Sequence, residues 1–267
     1  MSVAGEQPGL SITMMKIVIS ASRRTDLVHY FPDDFIGGLE KYPPDRVHSI
    51  VIWTKDPGNM LKKGSLRNRL LQYDQLFIHY TITGLGGSIL EPCIPRPAEA
   101  MGMLPHLIET TGSPDRIRVR FDPIVNLKKD GQETGNLGFF PELAAYCEST
   151  GIFNISTSWM SLYRKVARRL ERSGIETAEF DFESQKAFIE RTAADHGITL
   201  HYCCVPGTPA SRCIDGEMLS RLHPRGERAS LARAKGQREL CGCTHSVDIG
   251  WYSLKCRGGC LYCYAVP

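Results

Sequence analysis

The chain has 267 residues, with 32 Lys+Arg against 29 Asp+Glu for a formal charge of +3, and 42% of it is hydrophobic. This length buries a real core, as one large domain or two small ones. The even charge and ordinary hydrophobicity exclude a disordered chain and one built to seek polyanions.

Residues 1–14 read as a disordered tail ahead of a single domain over 15–267. They carry neither a basic start nor an apolar stretch, which excludes a signal peptide. The strand candidates lie at 16–20, 47–53, 75–83, 116–121, 152–157 and 198–203, each a short β-branched run. Helical patterns fall between them, near 33–41, 59–71, 97–111, 139–150, 160–173 and 182–196. None of the apolar runs approaches the ~20 residues a bilayer needs. Strand–helix alternation predicts an α/β fold with a parallel sheet and right-handed crossovers. Six such units suit a (β/α) barrel, complete or partial, with an open doubly wound sheet as the alternative. From about 205 to 240 the periodicity fades while Arg, Gly and Pro rise, which reads as an irregular connector.

The strand ends are polar. Ser22-Arg23-Arg24-Thr25-Asp26, Thr54-Lys55-Asp56-Pro57, Thr83, Asp122-Pro123 and Ser156-Thr157-Ser158-Trp159 follow successive strands. Singly, each residue could cap the next helix. Together they predict a pocket at the C-terminal ends of the strands, lined by Lys55, Glu91, Asp122 and Trp159.

Ten residues are cysteine, and Cys241, Cys243, Cys256, Cys260 and Cys263 all lie beyond residue 240. The expected compartment is the cytoplasm, where cysteines stay thiols or metal ligands. Cys256-Arg-Gly-Gly-Cys260-Leu-Tyr-Cys263 is a C-x3-C-x2-C run. Three thiolates this close on a Gly-rich loop can wrap one face of a [4Fe-4S] cluster and leave the fourth iron open. Tyr264 stands where a c-type haem site needs His. Zinc stays open as a reading, with His245, Cys241 or Cys243 as the fourth ligand. Cys204 (or Cys203), Cys213, Cys241 and Cys243 form a candidate second metal site, for an iron–sulfur cluster or zinc. A competing assignment gives Cys241 or Cys243 to the first cluster, closing its open iron. Cys93 and Cys147 read as buried packing residues.

The C-x3-C-x2-C run resembles the cluster motif of radical S-adenosylmethionine (SAM) enzymes, with Tyr262 at the aromatic position before the third cysteine. Trp53-Thr54-Lys55, Thr81-Ile82-Thr83, Leu90-Glu91-Pro92 and Asp122-Pro123-Ile124 resemble the succession in spore photoproduct lyase and DNA-repair photolyase-like proteins. The nearest resemblance is to an uncharacterised bacterial and archaeal domain-of-unknown-function family related to radical SAM proteins. It rests on Ser20-Ala21-Ser22-Arg23-Arg24-Thr25-Asp26, Cys213-Ile214-Asp215, Gln237-Arg238-Glu239-Leu240-Cys241-Gly242-Cys243 and Asp248-Ile249-Gly250-Trp251-Tyr252.

The resemblance implies a radical SAM-type enzyme with a [4Fe-4S] cluster, SAM, and a reductase or ferredoxin-type electron donor. A nucleic-acid substrate follows by analogy only. Radical SAM enzymes usually carry the three cysteines after the first strand, whereas here they come last. The expectation is therefore a circularly permuted partial barrel, with residues 247–252 as the strand before the cluster loop and residues 16–26 beside it. No Gly-Gly-Glu stands at a strand end to hold the SAM amino group. Asp26 could accept from that ammonium and Arg23 or Arg24 pair with the carboxylate, unless the three form a surface ion-pair network. The rival reading is a non-enzymatic electron-transfer or metal-binding protein, with an exposed cluster close to the chain end.

Three weaker signals complete the reading. Gly84-Leu-Gly86-Gly87 fails the dinucleotide fingerprint because Ile89 stands at its last position. Arg164, Lys165, Arg168, Arg169 and Arg172 give one helix a basic face, read as solvated. No Ser-His-Asp or paired-carboxylate pattern is legible.

Overall fold

The structure is a computed structural model that describes residues 15–250 and 253–265. The tail expected over 1–14, the Trp251-Tyr252 pair of the 248–252 motif, and residues 266–267 lie outside the described residues.

Each β-branched run forms a strand. In chain order the strands are β1 (Ile17–Ala21), β2 (Val47–Thr54), β3 (Leu76–Thr81), β4 (Ile117–Ile124), β5 (Asn126–Lys129), β6 (Gln132–Gly135), β7 (Asn154–Trp159), β8 (Ile175–Thr177), β9 (Thr199–Tyr202) and β10 (Val247–Ile249). The helices are α1 (Leu27–Tyr30), α2 (Pro32–Glu40), α3 (Gly58–Leu61), α4 (Ser65–Leu70), α5 (Pro97–Gly102), α6 (Leu104–Thr111), α7 (Phe140–Ser149), α8 (Arg164–Arg172), α9 (Phe182–Asp195) and α10 (Gly216–Leu222). None among the described residues is long and apolar enough to cross a membrane.

Seven strands make one parallel sheet in the order β10-β1-β2-β3-β4-β7-β9, so space follows sequence except for the last strand. β10 lies beside β1 as expected, with Ile19 opposite Val247 and Ala21 opposite Ile249. Ser20 Oγ donates to Asp248 Oδ1 at 2.7 Å across this pair. The α/β class and the parallel sheet are observed. A closed barrel is not, because β9 and β10 are the two edges of the sheet.

The alternation of β4 shows how the layers form. Ile117, Val119 and Phe121 are buried in the helix-side core with Ile19, Ile50, Ile52, Ile78, Tyr80 and Ile155. Arg118 and Arg120 occupy the alternate positions and face the other side. There the connector covers the sheet: Arg118 Nη1 donates to Arg212 O at 2.8 Å, and Ile214, Leu219, Ala229 and Cys243 pack on Val18, Val51, Trp53 and Phe77. The stretch read as an irregular link is therefore the second covering layer, with α10 inside it. Both faces of β2 and β3 are covered, and every residue of those strands is buried.

A second sheet, β6-β5-β8, is antiparallel. The β5–β6 hairpin turns on Asp130 and Gly131 at φ of +53° and +75°, the left-handed pair that a two-residue turn requires. The helix expected over 97–111 divides into α5 and α6, since Pro105 in the first turn of α6 has no N–H to continue α5. The helix expected over 160–173 starts only at Arg164.

Candidate metal centre

The chain leaves β10 at the C-terminal edge of the sheet, and the cysteine loop crosses the ends of β1, β2 and β3. Thr25 Oγ1 donates to Leu254 O, and Leu261 N–H donates to Leu90 O at 3.0 Å. Leu85, Leu90, Val125, Leu127, Val166, Leu170 and Ile175 then bury Cys260 and Tyr262. The small sheet and α8 thus back the loop from behind.

Within the loop, Gly258 and Gly259 bring the backbone close. A Cβ on Gly258 would sit 3.6 Å from Cys256 Sγ and 3.7 Å from Cys260 Sγ, so two sulfurs converge on the space that glycine leaves open. Gly259 turns at φ +67° against Pro92, whose Cγ would lie 3.0 Å from an added Cβ. Cys260 is 7% exposed, while Cys256 and Cys263 are half-buried. The Asp26 backbone N–H and the Gly258 N–H donate toward Cys256. Burial, chiefly, and the neighbouring thiols raise Cys256 and push Cys260 up to about 12, with Lys55 opposing the rise at Cys260. Such thiols keep their protons at neutral pH until a metal displaces them.

The three-thiol donor set matches a [4Fe-4S] cluster with one iron left open, whereas a single zinc ion would need a fourth ligand. Zinc at ~2.3 Å from each thiolate holds its sulfurs about 3.8 Å apart. Among the described residues, the three-residue His/Cys/Asp/Glu group whose ligand atoms lie within 4.8 Å of one another is Asp74, His223 and Glu227, not the loop cysteines. That group is already matched by cations: Lys16 lies 2.8 Å from Glu227, and Arg225 lies 2.5 Å from Asp74.

The predicted pocket residues divide. Lys55 and Glu91 meet at the loop: Lys55 Nζ lies 2.5 Å from Glu91 Oε1 and 2.9 Å from Tyr262 OH, and Tyr262 OH donates to Glu91. Tyr262 therefore anchors the loop to the ends of β2 and β3. Glu91 is 1% exposed, so this ion pair is buried. Asp122 accepts from Arg120 and Ser158 on the connector side of the sheet. Trp159 is not brought to the loop. It lies on the helix-side face, its ring tilted against Phe182 at 4.6 Å, with Nε1 donating to Gln185 at 2.8 Å. The alternation of β7 puts it there.

The Ser22–Asp26 turn also differs from its expected role. Both Asp26 oxygens already accept from the protein, from His29 N–H at 3.2 Å, Thr54 Oγ1 at 2.9 Å and Lys55 N–H at 2.8 Å. Its carboxylate caps α1 and ties β1 to β2 instead of standing ready for an ammonium. Burial raises its pKa despite these donors. Arg24 pairs with Asp248, and Arg23 lies 5.3 Å over the Trp53 ring.

Among the described residues, Cys241 and Cys243 contact none of the three loop thiols. Cys243 contacts Cys213 and Cys241, and Cys213 contacts Cys203. The expected set of Cys204, Cys213, Cys241 and Cys243 thus has Cys203 in direct contact with Cys213, and Cys204 reaches it only through Cys203. His245 is exposed. Cys147 is buried as expected. Cys93 is exposed instead, at the turn after Pro92, where only its carbonyl is used, by Tyr30 OH at 3.0 Å.

Arg169 was read as part of a solvated face, yet it donates to the Cys263 carbonyl. Arg257 lies 5.6 Å over the Phe31 ring. Neither contact has a local signal, because each joins segments far apart in sequence.

A profile of a family described as a domain of unknown function (DUF1848) matches residues 40–265. No curated protein matches the chain. Among solved structures, SuiB of Streptococcus suis bound to S-adenosylmethionine aligns with a TM-score of 0.38 at 10% identity, over 71% of this chain and 50% of that one. The carboxyl transferase domain of Rhizobium etli pyruvate carboxylase aligns with a TM-score of 0.28 at 8% identity, over 77% of this chain and 37% of that one. The chain spans about half the length of SuiB.

Proposed function

We propose that this chain, which belongs to the DUF1848 family, binds a [4Fe-4S] cluster through Cys256, Cys260 and Cys263 and acts as a radical SAM-type enzyme. The observation that carries the proposal is the convergence of the Cys256 and Cys260 sulfurs over Gly258, beside Cys263, at the C-terminal edge of a parallel sheet. When bound and reduced, such a cluster supplies an electron that cleaves SAM to a 5′-deoxyadenosyl radical.

The chain's own groups hold and shield that centre. Lys55 lies beside Cys260 and Cys263 while paired with Glu91, and through Tyr262 it ties the loop to the sheet ends. Tyr262 and Arg169 fix the two ends of the Cys260–Cys263 turn. Asp26 is a positioning residue, holding the β1 turn so that its N–H meets Cys256. Arg23 is the guanidinium of that turn offered to a SAM carboxylate, Arg24 being shared with Asp248. The β10–β1 pairing supports reading the sheet as a partial barrel whose spatially first strand is its last in sequence. A reductase or ferredoxin-type protein would supply the electron.

A second reading, an electron-transfer protein, is favoured by the partial exposure of Cys256 and Cys263. One anaerobic experiment separates the two: the reconstituted protein is reduced with SAM. The enzyme reading expects 5′-deoxyadenosine and a SAM-dependent change in the cluster's paramagnetic spectrum. An unchanged spectrum with no nucleoside formed overturns it.

A further inference from the structure

Away from the loop, the connector side of the sheet gathers five more thiols. Cys203 follows β9, Cys213 lies before α10, and Cys241 and Cys243 lie before β10. They form a continuous row in which Cys203 neighbours Cys213, Cys213 neighbours Cys243, and Cys243 neighbours Cys241. Cys204 adjoins Cys203. Successive residues of an extended strand point to opposite faces. Cys204 has a left-handed φ of +55°, and its side chain neighbours that of Cys203. A non-glycine residue in that region is strained and marks a constrained site. All five are free thiols.

The surroundings are built for negative sulfur. Ile214 N–H donates to Cys243 Sγ at 3.5 Å, and Arg238 Nη2 donates to Cys203 Sγ at 3.4 Å. Arg118 and Arg120 also face Cys213. Arg118 is 2% exposed, and the Nε of each of these two arginines has no hydrogen-bond partner. A neutral thiol is a weak acceptor and a poor match for so many donors. Three guanidinium groups need anions; Asp122 pairs with Arg120, whereas Asp215, near Arg118, is shared with Arg212 at 3.6 Å. Thiolates around a metal centre supply the remaining charge. The row is also too drawn out for zinc: these cysteines do not provide three sulfurs within 4.8 Å of one another, whereas a zinc cage holds all four about 3.8 Å apart.

We propose that Cys203, Cys213, Cys241 and Cys243 ligate a second iron–sulfur cluster on the connector side of the sheet, with Arg118, Arg120 and Arg238 balancing its charge. Four cysteines are the usual complement of a two-iron or four-iron cluster. Tyr264 lies near Cys263 on one side and near Arg120, Asp122 and Arg238 on the other, so it stands between this site and the loop. The inference does not depend on the loop binding SAM.

The test uses the full chain with Cys256→Ala, Cys260→Ala and Cys263→Ala combined, reconstituted anaerobically with iron and sulfide. This variant is expected to keep two or four irons with matching sulfide, and adding Cys213→Ser and Cys243→Ser is expected to abolish them. Should the second variant fail to fold, thiol alkylation of the first gives an independent readout. Cys203, Cys213, Cys241 and Cys243 are then expected to be protected until a chelator strips the iron. No iron in the first variant, zinc alone at one per chain, or alkylation indifferent to the chelator overturns the proposal. None of these readouts involves SAM, so failure here is distinct from failure of the enzyme reading.

Discussion

The two thiol groups are built in opposite ways. The loop group comes from eight consecutive residues, folded around two glycines and pinned from outside by Lys55, Glu91, Arg169 and Thr25. The connector-side group comes from three separate segments and is pinned from within by its own contacts and by arginines of β4. Lysine and carboxylate meet at the first, and guanidinium groups dominate the second. A local motif needs only a permissive backbone and an anchor. A dispersed one needs the whole sheet in place, because β9, α10 and β10 each deliver part of it.

The sharpest way to separate the groups is Cys256→Ala. It removes one half-buried sulfur of the loop and leaves the connector-side row intact. The expected outcome is near-complete loss of loop iron on reconstitution, with the other group's iron and the melting temperature unchanged. Equal loss from both groups would show that they are one unit. Next in size is Glu91→Gln. It leaves Lys55 charged and half-desolvated beside Tyr262, and breaking a buried pair costs about 3–5 kcal/mol. Urea unfolding should show that loss, and Lys55→Met combined with Glu91→Gln should recover part of it. Gly131→Ala places a methyl at φ +75° in the hairpin behind the loop and should cost about 1 kcal/mol.

The smallest effect is absent at neutral pH and concerns the opposite end of the sheet. Burial, with the His48 ring 4.3 Å away, holds the His223 pKa below its ordinary value. The Lys16 ammonium holds the Glu227 carboxyl low. The unfolded chain takes up protons at these groups near pH 6.5 and then near 4.3. It therefore binds more protons than the folded chain on acidification, and stability falls with pH in that order. His223→Gln should remove the first part of the fall, read as the urea midpoint between pH 7 and 5. An unchanged profile would assign the acid loss to other groups.

The parts legible in the sequence are those set by neighbours along the chain. β-branched runs placed the strands, and the C-x3-C-x2-C spacing placed the loop. The Asp130-Gly131 turn is equally local, a two-residue hairpin signal between β5 and β6. What stayed hidden depends on direction or distance. The facing of Trp159 follows from the pleat of β7, which no spacing at a strand end reveals. Arg169 looked solvated because its acceptor is a carbonyl in the last turn of the chain. The choice of Cys203 over Cys204 rests on its contact with Cys213, ten residues further along the chain. Asp26 offered the right chemistry for an ammonium, and the fold spends it on its own amides.

The pairing of β10 with β1 carries a consequence for how the protein comes into being. Ser20 and Asp248 meet across 228 residues, and contacts of such long separation are slow to form. During synthesis β1 and β2 can associate early, while the outer edge of β1 waits uncovered for almost the entire chain. An open edge is a template for the wrong partner. The same delay holds for the cysteine loop, whose anchors at Thr25, Lys55 and Glu91 are made long before it. The exposed β1 edge is thus the stretch most in need of protection until β10 reaches it.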